Sequence, residues 1–228
     1  MKKFLRIMLR NKVVAKYLQK FVLNLHSKTY ALSGSLASLL NEGIHPKHRI
    51  MKYKEWFLSN IQKNWVILDV GCNTGMMPEV MSTKASFIYG IEIEKKHILE
   101  AKRRKQKRNI EFICADATTY DYSPLKPIDC VTLSNVLEHI EYRIDFLKKL
   151  IKQIKWKDKK RLLIRVPMID REWIAVYKKE LGLEYRLDNT HYIEYTFEQL
   201  KEELLQAEID ILSHHVKFGE IYAICEAK

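Results

Sequence analysis

Ten residues constrain this chain more than any others: Val66-Ile67-Leu68-Asp69-Val70-Gly71-Cys72-Asn73-Thr74-Gly75. A short apolar, branched run ends in an acid, passes into a glycine-punctuated turn, and continues as Met76-Met77-Pro78-Glu79-Val80. That continuation can open a helix, because the first helical turn needs no backbone donor at Pro78. A buried strand handing over to a helix through a glycine turn is how doubly wound α/β sheets form a ligand crevice beyond the carboxyl ends of their strands. A dinucleotide fingerprint, G-x-G-x-x-G, would need glycines at 71, 73 and 76. Positions 73 and 76 are Asn73 and Met76, so the nicotinamide and flavin reading is weak.

What remains is acidic-x-Gly-x-x-x-Gly, and here the chain resembles the class I S-adenosylmethionine (SAM) dependent methyltransferases, whose first motif usually reads D-x-G-x-G-x-G. Asp69, Gly71 and Gly75 match, and Asn73 replaces the middle glycine. Asparagine tolerates positive φ better than other non-glycine residues, so the turn is expected to survive. Three more landmarks follow in order. Phe87–Glu92 reads as a second strand ending in an acid 23 residues after Asp69. A carboxylate there suits a ribose, since its two oxygens can accept from both hydroxyls. Ile110–Cys114 reads as a third strand leading to Asp116-Ala117, where the resemblance implies that the acid takes the adenine amino group and the next residue stacks by the ring. Ile128–Leu133 reads as a fourth strand running into Ser134-Asn135-Val136-Leu137-Glu138-His139-Ile140, which is similar to the post-strand motif of the ubiquinone/menaquinone-type branch. The resemblance implies SAM as cofactor, held by Asp69, Gly71, Asn73, Gly75, Glu92, Ile93, Asp116, Ala117 and Asn135.

Singly, each acid has a plainer reading. Asp69 could cap a helix, Glu92 could be a solvated strand-end carboxylate, and Asp116, before Ala117-Thr118-Thr119, could make an Asx turn. Their succession at strand ends is what carries the cofactor reading.

With 228 residues the chain fits one α/β domain plus an appendage. No apolar run approaches the length of a membrane span. Cys72, Cys114, Cys130 and Cys225 stand singly, without a C-x-x-C pair, which argues against zinc and for reduced thiols in the cytosol. The net charge of +12 is unevenly placed. Residues 1–40 carry eight Lys or Arg and no acid, whereas the remaining 188 hold 32 basic against 28 acidic residues. Two further basic clusters, Lys102–Arg108 and Lys155–Lys160, follow predicted helices, where cations complement the carboxyl end.

The expected architecture is a Rossmann-like doubly wound, seven-stranded, mainly parallel sheet with an antiparallel last strand and an N-terminal helical extension. Residues 1–45 form the extension and 46–228 the methyltransferase domain. In the extension, Phe4, Ile7, Met8, Val14, Leu18, Phe21, Val22 and Leu25 share a helical stripe. Ala31–Ser38 reads as a small-residue break, and Ile50–Leu58 as a helix packed on the sheet before strand one. Asp145–Ile154 reads as an amphipathic helix and Arg161–Pro167 as the fifth strand, ended by its proline. Residues 168–195 form an aromatic and charged insertion. Thr196 with Gln199 signals a capped helix, and strands at Ile209–His215 and Ile221–Cys225 close the sheet as a hairpin.

Methyl transfer is an in-line displacement at a sulfonium methyl, so the protein must position an acceptor and, for a hydroxyl, take its proton. His139 is the candidate base, since imidazole titrates near physiological pH, and Glu138 could orient it. Alternatively the Glu138-His139 pair only shapes the methionine end of the cofactor site. Part of the resembled branch uses E-x-x-E-H and a distant histidine to hold a divalent metal. Here Asn135 occupies the first position while Glu138 and His139 match and His191 could be the distant ligand; with one carboxylate fewer, no metal is expected.

The stretches Gly43–Arg49, Ile164–Pro167 and Tyr185–His191 are similar to a bacterial subgroup that often accompanies surface-polysaccharide biosynthesis. That similarity implies a small-molecule or glycan hydroxyl acceptor, with Arg165, His191 and Tyr192 contacting it. Two rivals remain: an RNA methyltransferase using the basic extension as a phosphate-binding arm, and a non-catalytic SAM-fold partner protein. Against the first, no N-P-P-Y-like motif follows strand four; against the second, acids stand at all three cofactor positions. The extension itself reads as a helix resting on an anionic membrane at the inner face, through residues 1–28, or as a lid on the methyltransferase domain.

Overall fold

The run Val66–Val70 becomes β1, an interior strand beside the central one of a seven-stranded sheet, in the computed structural model, which describes residues 11–104 and 107–228. The strands that follow are β2 (Phe87–Glu92), β3 (Ile110–Cys114), β4 (Ile128–Ser134), β5 (Trp156–Pro167), β6 (Ile209–Lys217) and β7 (Glu220–Ala227). Their spatial order is β3-β2-β1-β4-β5-β7-β6. β1 through β5 pair in parallel, while β7 runs antiparallel to both β5 and β6. The order reverses between β1 and β4, the switch point at which such sheets open a crevice. The expected seven-stranded topology is the observed one.

Buried apolar side chains of both faces make the core; Ile67, Leu68, Val131, Leu133, Leu162 and Ile164 are sealed from solvent. Near-continuous apolar strands of this kind are what a sheet covered on both faces requires. The helices here are α1 (Lys12–Leu39), α2 (Lys47–Met51), α3 (Tyr53–Asn60), α4 (Met76–Met81), α5 (Lys95–Arg104), α6 (Arg143–Gln153), α7 (Trp173–Glu180) and α8 (Phe197–Gln206). Thr196 and Gln199 form the reciprocal cap expected for α8.

Three local expectations are corrected. The small-residue break at Ala31–Ser38 does not exist: α1 continues to Leu39. Ser35 and Ser38 donate back to the carbonyls of Ala31 and Gly34 at 3.1 Å, so their hydroxyls bond within the helix rather than ending it. The helix expected over Ile50–Leu58 is two helices, divided at Lys52, whose φ is +54°. β5 begins at Trp156 rather than Arg161, because its lysine-rich first half is solvent-facing and carries no apolar pattern. The first part of the stripe, Phe4 to Met8, lies outside the described residues.

The chain divides into two compact units. Among the described residues, one comprises 11–51 with Trp173–Tyr185; the other comprises those of 52–172 and Arg186–Lys228 and contains the whole sheet. In the first unit α1 and α7 are joined by Lys178, which donates to Ser27 Oγ at 2.8 Å, and by the Tyr177 hydroxyl on Gln19 Oε1.

Candidate active site

Between β1 and α4 the chain turns through three positive φ angles, +68° at Gly71, +48° at Asn73 and +82° at Gly75. Asn73 takes the left-handed conformation where a glycine is usual, and its own Oδ1 accepts from the Thr74 amide at 2.7 Å. That local bond offsets the cost of the conformation. Gly71 is needed for a second reason: a Cβ there would stand 2.6 Å from Val136 Cγ2. The turn after β1 thus lies directly against the segment after β4. Gly75 is held from the other side, with Phe112 and Ala101 in the space of its missing Cβ.

Glu92, at the end of β2, ties the turns together. Its Oε2 accepts from the Asn73 amide at 3.0 Å and its Oε1 from the Glu94 amide at 2.9 Å. Each carboxylate oxygen has a further lone pair, so two hydroxyls can still be received. Asp116 does make the Asx turn, accepting from the Thr118 amide and hydroxyl at 2.8 Å, and still borders the same cleft.

The cleft has a volume of about 970 Å³, at the upper end of small-molecule sites. Gly71, Asn73, Glu92, Ile93, Asp116, Ala117, Asn135, His139 and Tyr192, all expected at the site, line it. Asn135 has φ +55° and a buried Oδ1 with no hydrogen-bond partner among the described residues, an acceptor held ready inside the cavity. An orphaned acceptor and two strand-end acids around a cavity of this size fit a nucleoside bearing hydroxyls and an ammonium group.

Other expected residues stand behind the lining. Asp69 is 2% exposed and accepts from Thr132 Oγ1 at 2.5 Å, beneath the turn. Burial pushes its carboxyl up to about 7, an effect eased by Thr132 and reinforced by Glu92. Arg165 is buried and paired with Glu220 through two nitrogens, donates to Ser134 Oγ at 3.1 Å, and lies 4.1 Å over the Tyr53 ring. It therefore braces β5 against β7. Glu138 and His191 are buried outside the lining, directly behind His139.

These last three residues form one cluster. Their ligand atoms lie within 4.8 Å of one another, and the two imidazole rings meet edge to face at 4.6 Å. Sequence reasoning missed the residues that orient them. Thr190 Oγ1 donates to Asp188 Oδ1 at 2.8 Å, which leaves the hydroxyl oxygen to accept from His139 Nδ1 at 3.0 Å. Glu194 is fully buried; it accepts from Arg171 and the Leu187 amide, and its Oε1 lies 3.2 Å from His191 Nδ1. In both rings Nδ1 is thus the nitrogen placed to donate, and Nε2 is left facing away from these partners. His139 titrates below its ordinary value, first because of burial and then because of His191. Both Glu138 oxygens are buried with no hydrogen-bond partner among the described residues, and burial pushes its carboxyl up to about 8. One carboxyl and two imidazole lone pairs could also hold a divalent cation. His97 is a further lining residue that the sequence did not signal; its Nδ1 sits 3.8 Å from Glu92 Oε1.

Known proteins share these features. Residues 68–156 match the family model described as "Methyltransferase domain". A ubiquinone biosynthesis O-methyltransferase of Bradyrhizobium diazoefficiens is 26% identical over 121 residues, 53% of this chain and 46% of the relative. One from Pelagibacter ubique is 28% identical over 93 residues, 41% of this chain and 39% of the relative. The chain thus spans less than half the length of either. Among solved structures, a SAM-dependent methyltransferase from Aquifex aeolicus superposes with a TM-score of 0.57 at 16% identity, covering 82% of this chain and 97% of the other. The fold is one shared with SAM-dependent methyltransferases, and together with the match of residues 68–156 it implies S-adenosylmethionine as the cofactor.

Proposed function

We propose that this protein transfers a methyl group from S-adenosylmethionine to a hydroxyl of a small-molecule or glycan acceptor. The observation that carries the reading is the single cleft into which the Asn73 turn, the Glu92 carboxylate, Asp116 and the Asn135–His139 segment all open. When bound, SAM supplies an electrophilic methyl. Glu92 would receive the ribose hydroxyls, Asp116 and Ala117 would border the adenine, and Asn135 Oδ1 would accept from the methionine amino group. His139 Nε2 would take the proton of the acceptor hydroxyl, in the tautomer that Thr190 and Asp188 enforce. Tyr192 would border the acceptor, with His191 packed behind His139. That the Bradyrhizobium and Pelagibacter relatives are named O-methyltransferases supports oxygen as the methylated atom. The similarity of Gly43–Arg49 and Tyr185–His191 to a polysaccharide-associated subgroup supports a glycan. A cytosolic enzyme with an acceptor at the inner membrane face is consistent with this reading, and among the described residues no helix is long and apolar enough to cross a membrane.

Calorimetry should show SAM and its demethylated product binding, and Glu92→Ala should weaken both. Loss of a hydrogen bond to a charged group costs ~1.5–3 kcal/mol, roughly ten- to a hundredfold in affinity. No binding by the intact chain would overturn the proposal. The acceptor would be sought by incubating labelled SAM with fractionated cell extract and following the label by mass spectrometry.

The carboxyl of Glu138, with no hydrogen-bond partner among the described residues, favours a second reading, in which Glu138, His139 and His191 hold a divalent cation that polarises the acceptor hydroxyl. Under the base reading, EDTA leaves turnover unchanged. Loss of turnover with EDTA and its recovery with magnesium, manganese or zinc would assign the cluster to a cation instead.

A further inference from the structure

Helix α1 carries leucine at every seventh position: Leu18, Leu25, Leu32 and Leu39. Taken as the d positions of a heptad, they place Val22, Thr29 and Leu36 at successive a positions. All the leucines and Val22 are exposed, from 40% at Leu18 to 75% at Leu39. β-Branched Val22 at a with leucine at every d is the pairing that favours two parallel strands. The run covers more than three heptads, long enough to be read as a coiled-coil seam rather than a surface stripe.

The seam lies largely opposite the buried side of α1, with Gln19, at the e position beside Leu18, accepting from Tyr177 of α7 on its flank. Leu23 is buried, and Ser27 receives Lys178 from α7, on the other face. The charges choose between occupants. Lys16 and Lys20, at b and f positions, project towards that other face, Lys12 stands at an e position before the first leucine, and the described part of the helix has no acid. A helix lying on an anionic bilayer needs cations beside its apolar face, where they reach the headgroups. In the described helix only Lys12 and Lys28 border the seam, 16 residues apart, so two copies would meet with no ladder of like charges between them.

We propose that α1 pairs with α1 of a second copy of this chain in a parallel coiled coil, joining two methyltransferase units into a homodimer. Light scattering on the full chain should give the mass of two chains, and Leu25→Glu combined with Leu32→Glu should give one chain with unchanged SAM affinity. A second variant guards against misfolding. In a Cys114→Ser background, Leu25→Cys should form a disulfide-linked dimer on mild oxidation, because a parallel register sets each d residue beside its own copy, whereas Lys16→Cys should not. A monomeric wild-type chain overturns the proposal, as does a dimer that survives the double substitution. A monomeric chain that floats with phosphatidylglycerol vesicles overturns it too, and gives the stripe to a bilayer.

Discussion

His139→Ala is expected to lower turnover about 10²–10⁴-fold while leaving SAM affinity little changed. The size of the effect follows from three features of the ring. It lines the cleft, where its neighbours Glu138 and His191 do not. Its Nδ1 is committed to Thr190, which is itself committed to Asp188, so Nε2 is the nitrogen that remains to accept a proton. Burial and His191 hold its titration below the ordinary imidazole value, so the ring is neutral at physiological pH. A base must be unprotonated to act. The acid limb of turnover against pH should therefore fall below pH 6.5, the ordinary value, rather than at it. Thr190→Val removes the acceptor that selects the tautomer, and a smaller loss of turnover without loss of cofactor binding is expected. Parallel loss of affinity and turnover in His139→Ala would leave the ring a scaffold for the cofactor and sink the base assignment.

What the sequence discloses and what it hides divide along the range of the interactions. The turn after β1 is legible because each of its demands is local: positive φ at 71, 73 and 75 restricts the residues to glycine and asparagine, and those residues are present. The cap of α8 is legible for the same reason, since Thr196 and Gln199 satisfy each other within one turn. Heptad spacing in α1 is equally plain in the sequence, yet that its leucines are exposed is seen only in the structure. Residues whose role depends on contacts far along the chain are not legible. Thr190 and His139 are 51 residues apart and meet because the Arg186–Tyr195 segment passes the Leu137–His139 turn, where the Tyr192 amide donates to the Glu138 carbonyl at 2.7 Å. Glu194 gives no motif at all; what marks it is burial with Arg171, Leu187 and His191 converging on one carboxylate. Asp69 is the instructive case. Its place at the strand end is evident from the pattern, but its side chain turns down onto Thr132 instead of into the cleft, and that depends on a strand 63 residues away.

Asp69→Asn is accordingly expected to stabilise the cofactor-free protein above pH 7 and to affect SAM affinity less than Glu92→Ala does. Burial raises the Asp69 carboxyl from 3.8 to about 7. Between those values the folded chain holds a proton that the unfolded chain has released, so stability falls as pH rises through this window and the loss is complete above about pH 7. A shift of that size corresponds to about 4 kcal/mol. Asparagine keeps the Oδ1 that accepts from Thr132 and cannot ionise, which removes the penalty. Its amide hydrogens enter a buried site, at a cost of about 1–3 kcal/mol. A net gain of about 1–3 kcal/mol should remain at pH 8, and in a chain of this size each kcal/mol raises the unfolding midpoint by about 2–4 °C. Below pH 4 aspartic acid is itself neutral, so the gain should vanish or reverse. Thermal unfolding of the two proteins at pH 4 and pH 8 makes the comparison. An equal change at both pH values would show that ionisation of Asp69 is not the cause. A loss of SAM affinity larger than that of Glu92→Ala would place the carboxylate in contact with the cofactor, against the position beneath the turn that its burial and its bond to Thr132 define.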